Sequence, residues 1–459
     1  MVPERAEVVV VGGGIAGLSA AWELRDRDVI VLEASARAGG RLMSEPRGPY
    51  WLNFGGHVVG GPETATGRLL AATGVEAREL PGVLAGLAVG GRLLAGGRVE
   101  TYPLRVPLPA LDRIALVRAG ARLRLAVAEY ARVSRLRPGE SEADRRARVL
   151  AFRDGRTFSE FLGPVRPAVD AVFRATIRRS SGEPEEVSAG YGIGYFQLVW
   201  DRARGLTRTM VGGSSRLPDA IAAALGDRLA TGTPVTAVEP APDGVVISFE
   251  EGGRGRTVHA RAAVVATPAP VARRIVADLP SEVARALDGI AYGPYVVGAF
   301  LTGETAPMPY DRLYAAATPG RSFNMLFNTA NVVRGDGARE PGGTLMVYAA
   351  AGLTRNLAGL DDAEVERRFL DDLHALFPAL RGLVRETVVR RWEPGLPHPR
   401  PGRHLLQPAL EQPLGAVHLV GDYLGTTYIE TAIETGTAAA RRIRSMLEAW
   451  EAPSPPSIG

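Results

Sequence analysis

The chain has 459 residues, 46 % hydrophobic and 23 % charged, the balance of a folded protein of two or three domains, which excludes disorder, collagen and a lone binding module. It has no cysteine, and all 54 Lys+Arg positions are arginine, so disulfides, thiol nucleophiles, cysteine-held metals or cofactors and Schiff-base lysines are excluded. A net charge of +4 is too small to argue for nucleic acid, no window approaches about 18 uninterrupted apolar residues, and a strand begins with no room for a signal peptide, so a cytoplasmic protein without a nucleic-acid partner is expected.

The first apolar run, residues 8–11, stops at three glycines and leads into an Ala/Leu-rich stretch, 15–24. This predicts a strand, a tight turn and a buried helix. A second β-branched run at 28–33 completes a parallel βαβ unit with a right-handed crossover. From about 82 to 206 the pattern turns to longer Leu/Arg/Ala-rich stretches, which predict a mainly helical insert. A further helix is expected after Gly212 and Gly213, then a hairpin turning at Asp243 and Gly244, then a strand over 262–266. Strands with intervening helices are expected from 295 to 389, a strand at 416–420, a helix from about 429 to 450, and a frayed tail.

Gly12, Gly14 and Gly17 form G-x-G-x-x-G between the first strand and helix. The first glycine permits the turn, the second lets the backbone approach a pyrophosphate, and the third lets helix pack on strand. Glu33 ends the next strand, where a carboxylate can accept from ribose hydroxyls. Dinucleotide binding follows from that combination.

The run GGGIAGLSAAWEL followed by VIVLEASARAGGRL resembles the FAD-binding fingerprint of the flavin amine oxidase and protoporphyrinogen oxidase superfamily. Three later stretches resemble it too: LNFGGHVVGG (52–61), GTPVTAV with AVVATP, and LVGDYLGTTYIETAIETGTAAARRI (419–443). The resemblance implies noncovalent FAD. The residues it assigns to the cofactor are Gly12, Gly14, Ile15, Ala16, Gly17, Glu33, Ala34, Arg37, Gly40, Arg41, Leu42, Gly55, Gly56, His57, Val235, Gly421, Asp422, Tyr428 and Ile429. Asn53 stands where the family often has Asp. The implied fold is α/β: a Rossmann-like, GR2-type FAD-binding domain, discontinuous over 1–81, 207–290 and 401–450. An α+β substrate domain over 82–206 and 291–400 includes the helical insert, and 451–459 form the tail.

A flavin enzyme that takes hydride directly at N5 needs little acid–base machinery, and the six histidines show no metal-ligand spacing, so no metal is assigned. His57 is the histidine expected beside the ring, as a base or simply bonded to nearby backbone. Tyr428 and Trp392 are candidates to clamp a planar or cationic substrate; core packing explains them equally. Tyr195, Phe196, Trp200, Phe323, Phe327 and Tyr348 are candidate pocket aromatics. Amine oxidases of the family commonly carry a lysine bonded through water to N5, so its absence points to the protoporphyrinogen oxidase or desaturase branch. The expected activity is dehydrogenation of a small-molecule substrate at a carbon–carbon or carbon–nitrogen unit, with O2 or another electron acceptor. The alternatives are an amine oxidase without that lysine, a carotenoid-type desaturase or isomerase, or a non-catalytic nucleotide-binding protein. Residues 111–137 hold seven arginines among apolar residues; a solvated helix face is expected, with weak contact to a membrane surface as the second reading.

Overall fold

β1 (Arg5–Val11), α1 (Ile15–Glu23) and β2 (Val29–Glu33) follow one another as the apolar pattern predicts. The two strands pair in parallel, from Val8 opposite Val29 to Val11 opposite Leu32. The computed structural model describes residues 1–82, 84–200, 206–334, 340–426 and 428–451, so the tail expected to fray from 452 on lies outside the described residues. The valines of β1 divide between two cores. Val8 and Val10 pack with α1 and the C-terminal helix Ile429–Glu451, while Val9 and Val11 pack with helices Ala269–Ile275 and Ser281–Asp288. A strand covered on both faces reads as a continuous apolar run rather than an alternating one.

Seven strands form this sheet, in the order Leu229–Thr231, β2, β1, Arg254–Val265, Gly244–Glu251, Val235–Ala241, with Val417–Leu419 beside Arg254–Val265. The strand expected over 262–266 is longer than the sequence suggests. One of its edges carries β1; the other is divided, with antiparallel Gly244–Glu251 against its first half and parallel Val417–Leu419 against its second. Residues 257–261 alternate exposed and buried positions and 262–265 are buried throughout, so a search for one strand pattern finds only the last stretch.

The other seven-stranded sheet runs Val384–Pro397, Tyr292–Thr302, Gly343–Ala350, Met325–Asn328, Ala315–Ala317, Gly86–Val89, Arg92–Leu94. The insert from 82 is therefore not helical at its start: its first elements are a hairpin on the edge of this sheet, and short Gly-bounded strands carry too few residues to show a period. After it come helices Ala110–Val133, Phe158–Leu162, Pro167–Ile177 and Ala189–Trp200, packed around Leu123, Phe158, Phe173, Ile193 and Phe196. Helix Ala110–Val133 buries Leu116, Ala119 and Leu123 and leaves Leu111, Ile114, Val117 and Leu125 exposed. Among the described residues no helix is long and apolar enough to cross a membrane.

Candidate flavin site and adjoining cavity

The β1–α1 turn is held from both sides. Gly12 has φ +103°, its N–H donates to the Leu32 carbonyl at 2.8 Å, and a Cβ at Gly17 would run into the Gly12 carbonyl. Glu33 accepts from Gly13 N–H at 2.6 Å and from Ser35 N–H at 2.8 Å, so its carboxylate lies at the mouth of the turn. Gly14 begins α1 without a side-chain cap, and a Cβ built on it would meet nothing within 4 Å. The first-turn N–H groups of α1, which no cap side chain satisfies, thus lie beside open space. The second glycine loop lies on the first: Gly39 N–H donates to Gly13 O at 2.7 Å, and Gly40 sits against Gly14. Arg37 closes its own loop by donating to Ala38 O and Gly40 O. Ile15, Ala16 and Leu42 are buried behind the turn and Ala34 is exposed beyond β2. Thr233 N–H donates to Glu33 O at 2.9 Å, so Val235, two residues further on, starts its strand near the end of β2.

The C-terminal motif arrives at the same place. Arg41 donates to both carboxylate oxygens of Asp422, at 2.8 and 3.1 Å, and to Gly395 O at 2.6 Å. Gly421 N–H donates to the Thr435 hydroxyl. Gly56 lies against Ile429, and its N–H donates to Arg41 O. Glu430, at the start of the last helix, accepts from the N–H groups of Ala65 and Thr66 at 2.5 and 2.9 Å, so its carboxylate caps the helix Ala65–Ala72. Gly436 was not singled out in the sequence, yet a Cβ there would strike Ala16 O; it permits the close packing of the last helix on α1.

His57 is buried, with Nδ1 3.0 Å from Gly55 O and Nε2 without a partner. Its ring meets Phe327 edge-on at 4.8 Å. Burial lowers its pKa to about 4, which leaves it neutral at pH 7. Asn53 accepts from the Ser214 hydroxyl and donates to Gly55 O, a neutral bridge that needs no carboxylate. Trp392 is anchored by its indole N–H, which donates to Phe54 O at 2.6 Å. Tyr428 stacks with Tyr191, 6.5 Å between centroids, and tilts toward Tyr195 at 6.0 Å; burial holds its hydroxyl well above the usual phenol pKa.

Beside this cluster lies an apolar cavity of about 340 Å³, lined by Leu87, Leu116, Phe173, Phe196, Trp200 and Met325 among others. Of the candidate pocket aromatics, Phe196 and Trp200 line it. Phe323 belongs instead to the core under helix Asp362–Leu376, and Phe327 stacks on Tyr348 at 5.7 Å beside His57. Arg179 also lines the cavity, and nothing in the sequence pattern marks it.

A family model described as flavin containing amine oxidoreductase matches residues 15–444. Amine oxidase [flavin-containing] B of Canis lupus familiaris is 28 % identical over 256 residues, 53 % of this chain and 47 % of that protein. A putative flavin-containing monoamine oxidase of Mycobacterium tuberculosis is 28 % identical over 297 residues, 61 % of each chain. The match spans about half the length of the first of these relatives. Cyclohexylamine oxidase from Brevibacterium oxydans shares the fold, with a TM-score of 0.77 at 23 % identity over 97 % of this chain and 100 % of that one. A putrescine oxidase structure gives 0.75 at 19 % identity over 96 % and 99 %. The chain belongs to the flavin containing amine oxidoreductase family, and its cofactor is FAD.

Proposed function

We propose that the protein is an FAD-dependent oxidase or dehydrogenase acting on a small organic substrate at a carbon–nitrogen unit. The observation that carries this is the meeting, at one open helix N-terminus, of the Gly12–Gly17 turn, Glu33, the Gly39–Arg41 loop and the Gly421–Asp422 segment. The donor set fits a dinucleotide. Gly14, Ile15 and Ala16 offer backbone N–H groups to a pyrophosphate; Glu33 offers acceptors to ribose; Gly55, Gly56 and Ile429 offer backbone beside the ring. When bound, the flavin supplies a hydride acceptor at N5. The residues around it exclude water and orient the substrate carbon, and His57, neutral and bonded to Gly55, positions the Gly55–Gly56 loop rather than taking a proton. The discontinuous division into an FAD domain (1–81, 207–290, 401–450) and a substrate domain (82–206, 291–400) is part of this proposal, supported by the separate strand composition of the two sheets.

Oxidation at a carbon–carbon unit, as in the protoporphyrinogen oxidase or desaturase branch, is the second reading, favoured by the absence of any lysine from the chain. The purified protein is expected to be yellow and to release FAD on acid precipitation. Anaerobic bleaching with a panel of amines, amino acids, porphyrinogens and polyenes separates the two readings. A colourless protein that cannot be reconstituted with FAD overturns both.

A further inference from the structure

Arg179 lies in the short turn Arg178–Ser180 that ends helix Pro167–Ile177. Its backbone carbonyl accepts from two tyrosine hydroxyls, Tyr195 at 3.0 Å and Tyr295 at 2.5 Å, so the residue is fixed in place. The guanidinium lies 5.4 Å from the centre of the Tyr195 ring, is hydrogen-bonded to the Tyr348 hydroxyl, and has the neutral phenols of Tyr195 and Tyr428 as its other polar neighbours. No carboxylate neutralises it among the described residues, and its buried Nε has no partner. The contrast with its neighbours is sharp. Arg174 and Arg178 both pair with Glu183, at 2.8 and 2.9 Å, and Arg174 pairs with Asp170 and Glu185 as well. The local acids are consumed on the far side of the turn.

A guanidinium does not lose its charge at any pH the protein experiences, and a cation held in apolar surroundings without a counter-anion is costly. Arg179 stands on the wall shared by the apolar cavity and the tyrosine cluster that contains Tyr428. An anion arriving through the cavity supplies what the fold leaves out. The planar fork of arginine matches a carboxylate through two parallel hydrogen bonds. A bare ammonium brought to the same wall meets like charge.

We propose that Arg179 anchors a carboxylate of the substrate, so that the protein acts on apolar molecules that carry a carboxylate rather than on simple alkylamines. The inference rests on the cavity being the substrate site of the enzyme proposed above. In this arrangement the apolar body lies among Leu116, Phe173, Phe196 and Met325, and the carboxylate end meets Arg179. The oxidation itself is unchanged by the anchor, which determines which molecules are held.

Three probes with one apolar body test this: 3-phenylpropionate, its primary amide and 3-phenylpropylamine, with charges of −1, 0 and +1. Each is titrated into the FAD-loaded protein by calorimetry and, in parallel, by the change in flavin absorbance. The carboxylate is expected to bind at least about tenfold tighter than the amide, the order of one charge-assisted hydrogen bond, and the amine most weakly. Arg179→Gln should lower carboxylate affinity by about tenfold or more and leave the amide within about twofold, while Arg179→Lys should keep part of the preference. Equal binding of the three probes, tightest binding of the amine, or an unchanged carboxylate affinity in Arg179→Gln overturns the proposal. If Arg179→Gln does not fold, the order in the unaltered protein and in Arg179→Lys decides. Calorimetry reads that order even in protein that carries no flavin, so failure of the FAD reading and failure of the anchor are told apart.

Discussion

His57 is the histidine that a base-dependent oxidation would call on, and its burial makes it a weak base. Buried against Phe327, with Nδ1 on Gly55 O, it has a pKa lowered to about 4 by burial. In the unfolded chain it protonates near pH 6.5. Between those values the unfolded state binds the extra proton, so stability is fully present above about pH 6.5 and is lost as pH falls toward about 4. His57→Gln should remove about one proton's slope, roughly 1.4 kcal/mol per pH unit, from the acid limb of unfolding free energies measured by urea melts between those limits. His418, also lowered to about 4 by burial, contributes a second, independent slope that this variant leaves in place. His57→Ala should slow anaerobic flavin reduction by no more than about tenfold, below the 10²–10⁴ expected for a lost general acid or base. A thousandfold loss, roughly, with FAD occupancy and substrate affinity intact would make His57 the base. Glu33 works in the opposite sense, by charge. Its carboxylate already accepts from Gly13 and Ser35, so Glu33→Ala removes both a ribose acceptor and a turn contact. FAD binding, measured by fluorescence titration, should weaken by a few kcal/mol at about 1.5–3 kcal/mol per charged hydrogen bond, and unchanged affinity would remove Glu33 from the ribose site.

Among elements, the two glycines of the α1 surroundings separate fold from cofactor. Gly14 opens α1 onto empty space, whereas Gly436 lets the C-terminal helix close onto Ala16 O. Gly14→Ala should leave the melting temperature of the FAD-free protein nearly unchanged and abolish FAD binding. Gly436→Ala should lower that stability by about 1–3 kcal/mol through overpacking. The reverse pattern, in calorimetric melts with and without FAD, would mean that the open space at Gly14 is not the phosphate site. The same contrast explains what the sequence makes legible. Motifs that fix backbone, such as the glycine turns and the continuous valines of β1, appear at their predicted positions because local geometry demands those residue types. The hairpin Gly86–Leu94 and the first half of Arg254–Val265 escape because neighbouring strands, not local pattern, hold them in the sheet. Arg179 is one of 54 basic residues; only the pairing of its neighbours with Glu183 and the apolar cavity beside it distinguish it.

For the whole molecule, one guanidinium joins segments of both sheets. Arg41 comes from the loop after β2, Asp422 from the segment after Val417–Leu419, and Gly395 from the edge strand of the second sheet. The Asp422 side chain is 8 % exposed and the Arg41 side chain 34 %, so the acid depends on its partner more than the arginine does. Arg41→Met should destabilise the FAD-free protein by about 1–3 kcal/mol, because it leaves a buried carboxylate unsatisfied. Replacing both partners, Arg41→Met with Asp422→Leu, should recover part of that loss, since two apolar groups leave no orphan. The double-mutant cycle by urea unfolding should then give a coupling energy of about 0.5–3 kcal/mol. If Arg41 also meets the pyrophosphate, FAD affinity should follow a different order: the double variant then regains stability but not cofactor. Single-variant losses that simply add, within about 0.3–0.5 kcal/mol, would show that the contact between the sheets is incidental. Recovery of FAD binding in the double variant would show that Arg41 serves the fold and not the phosphates.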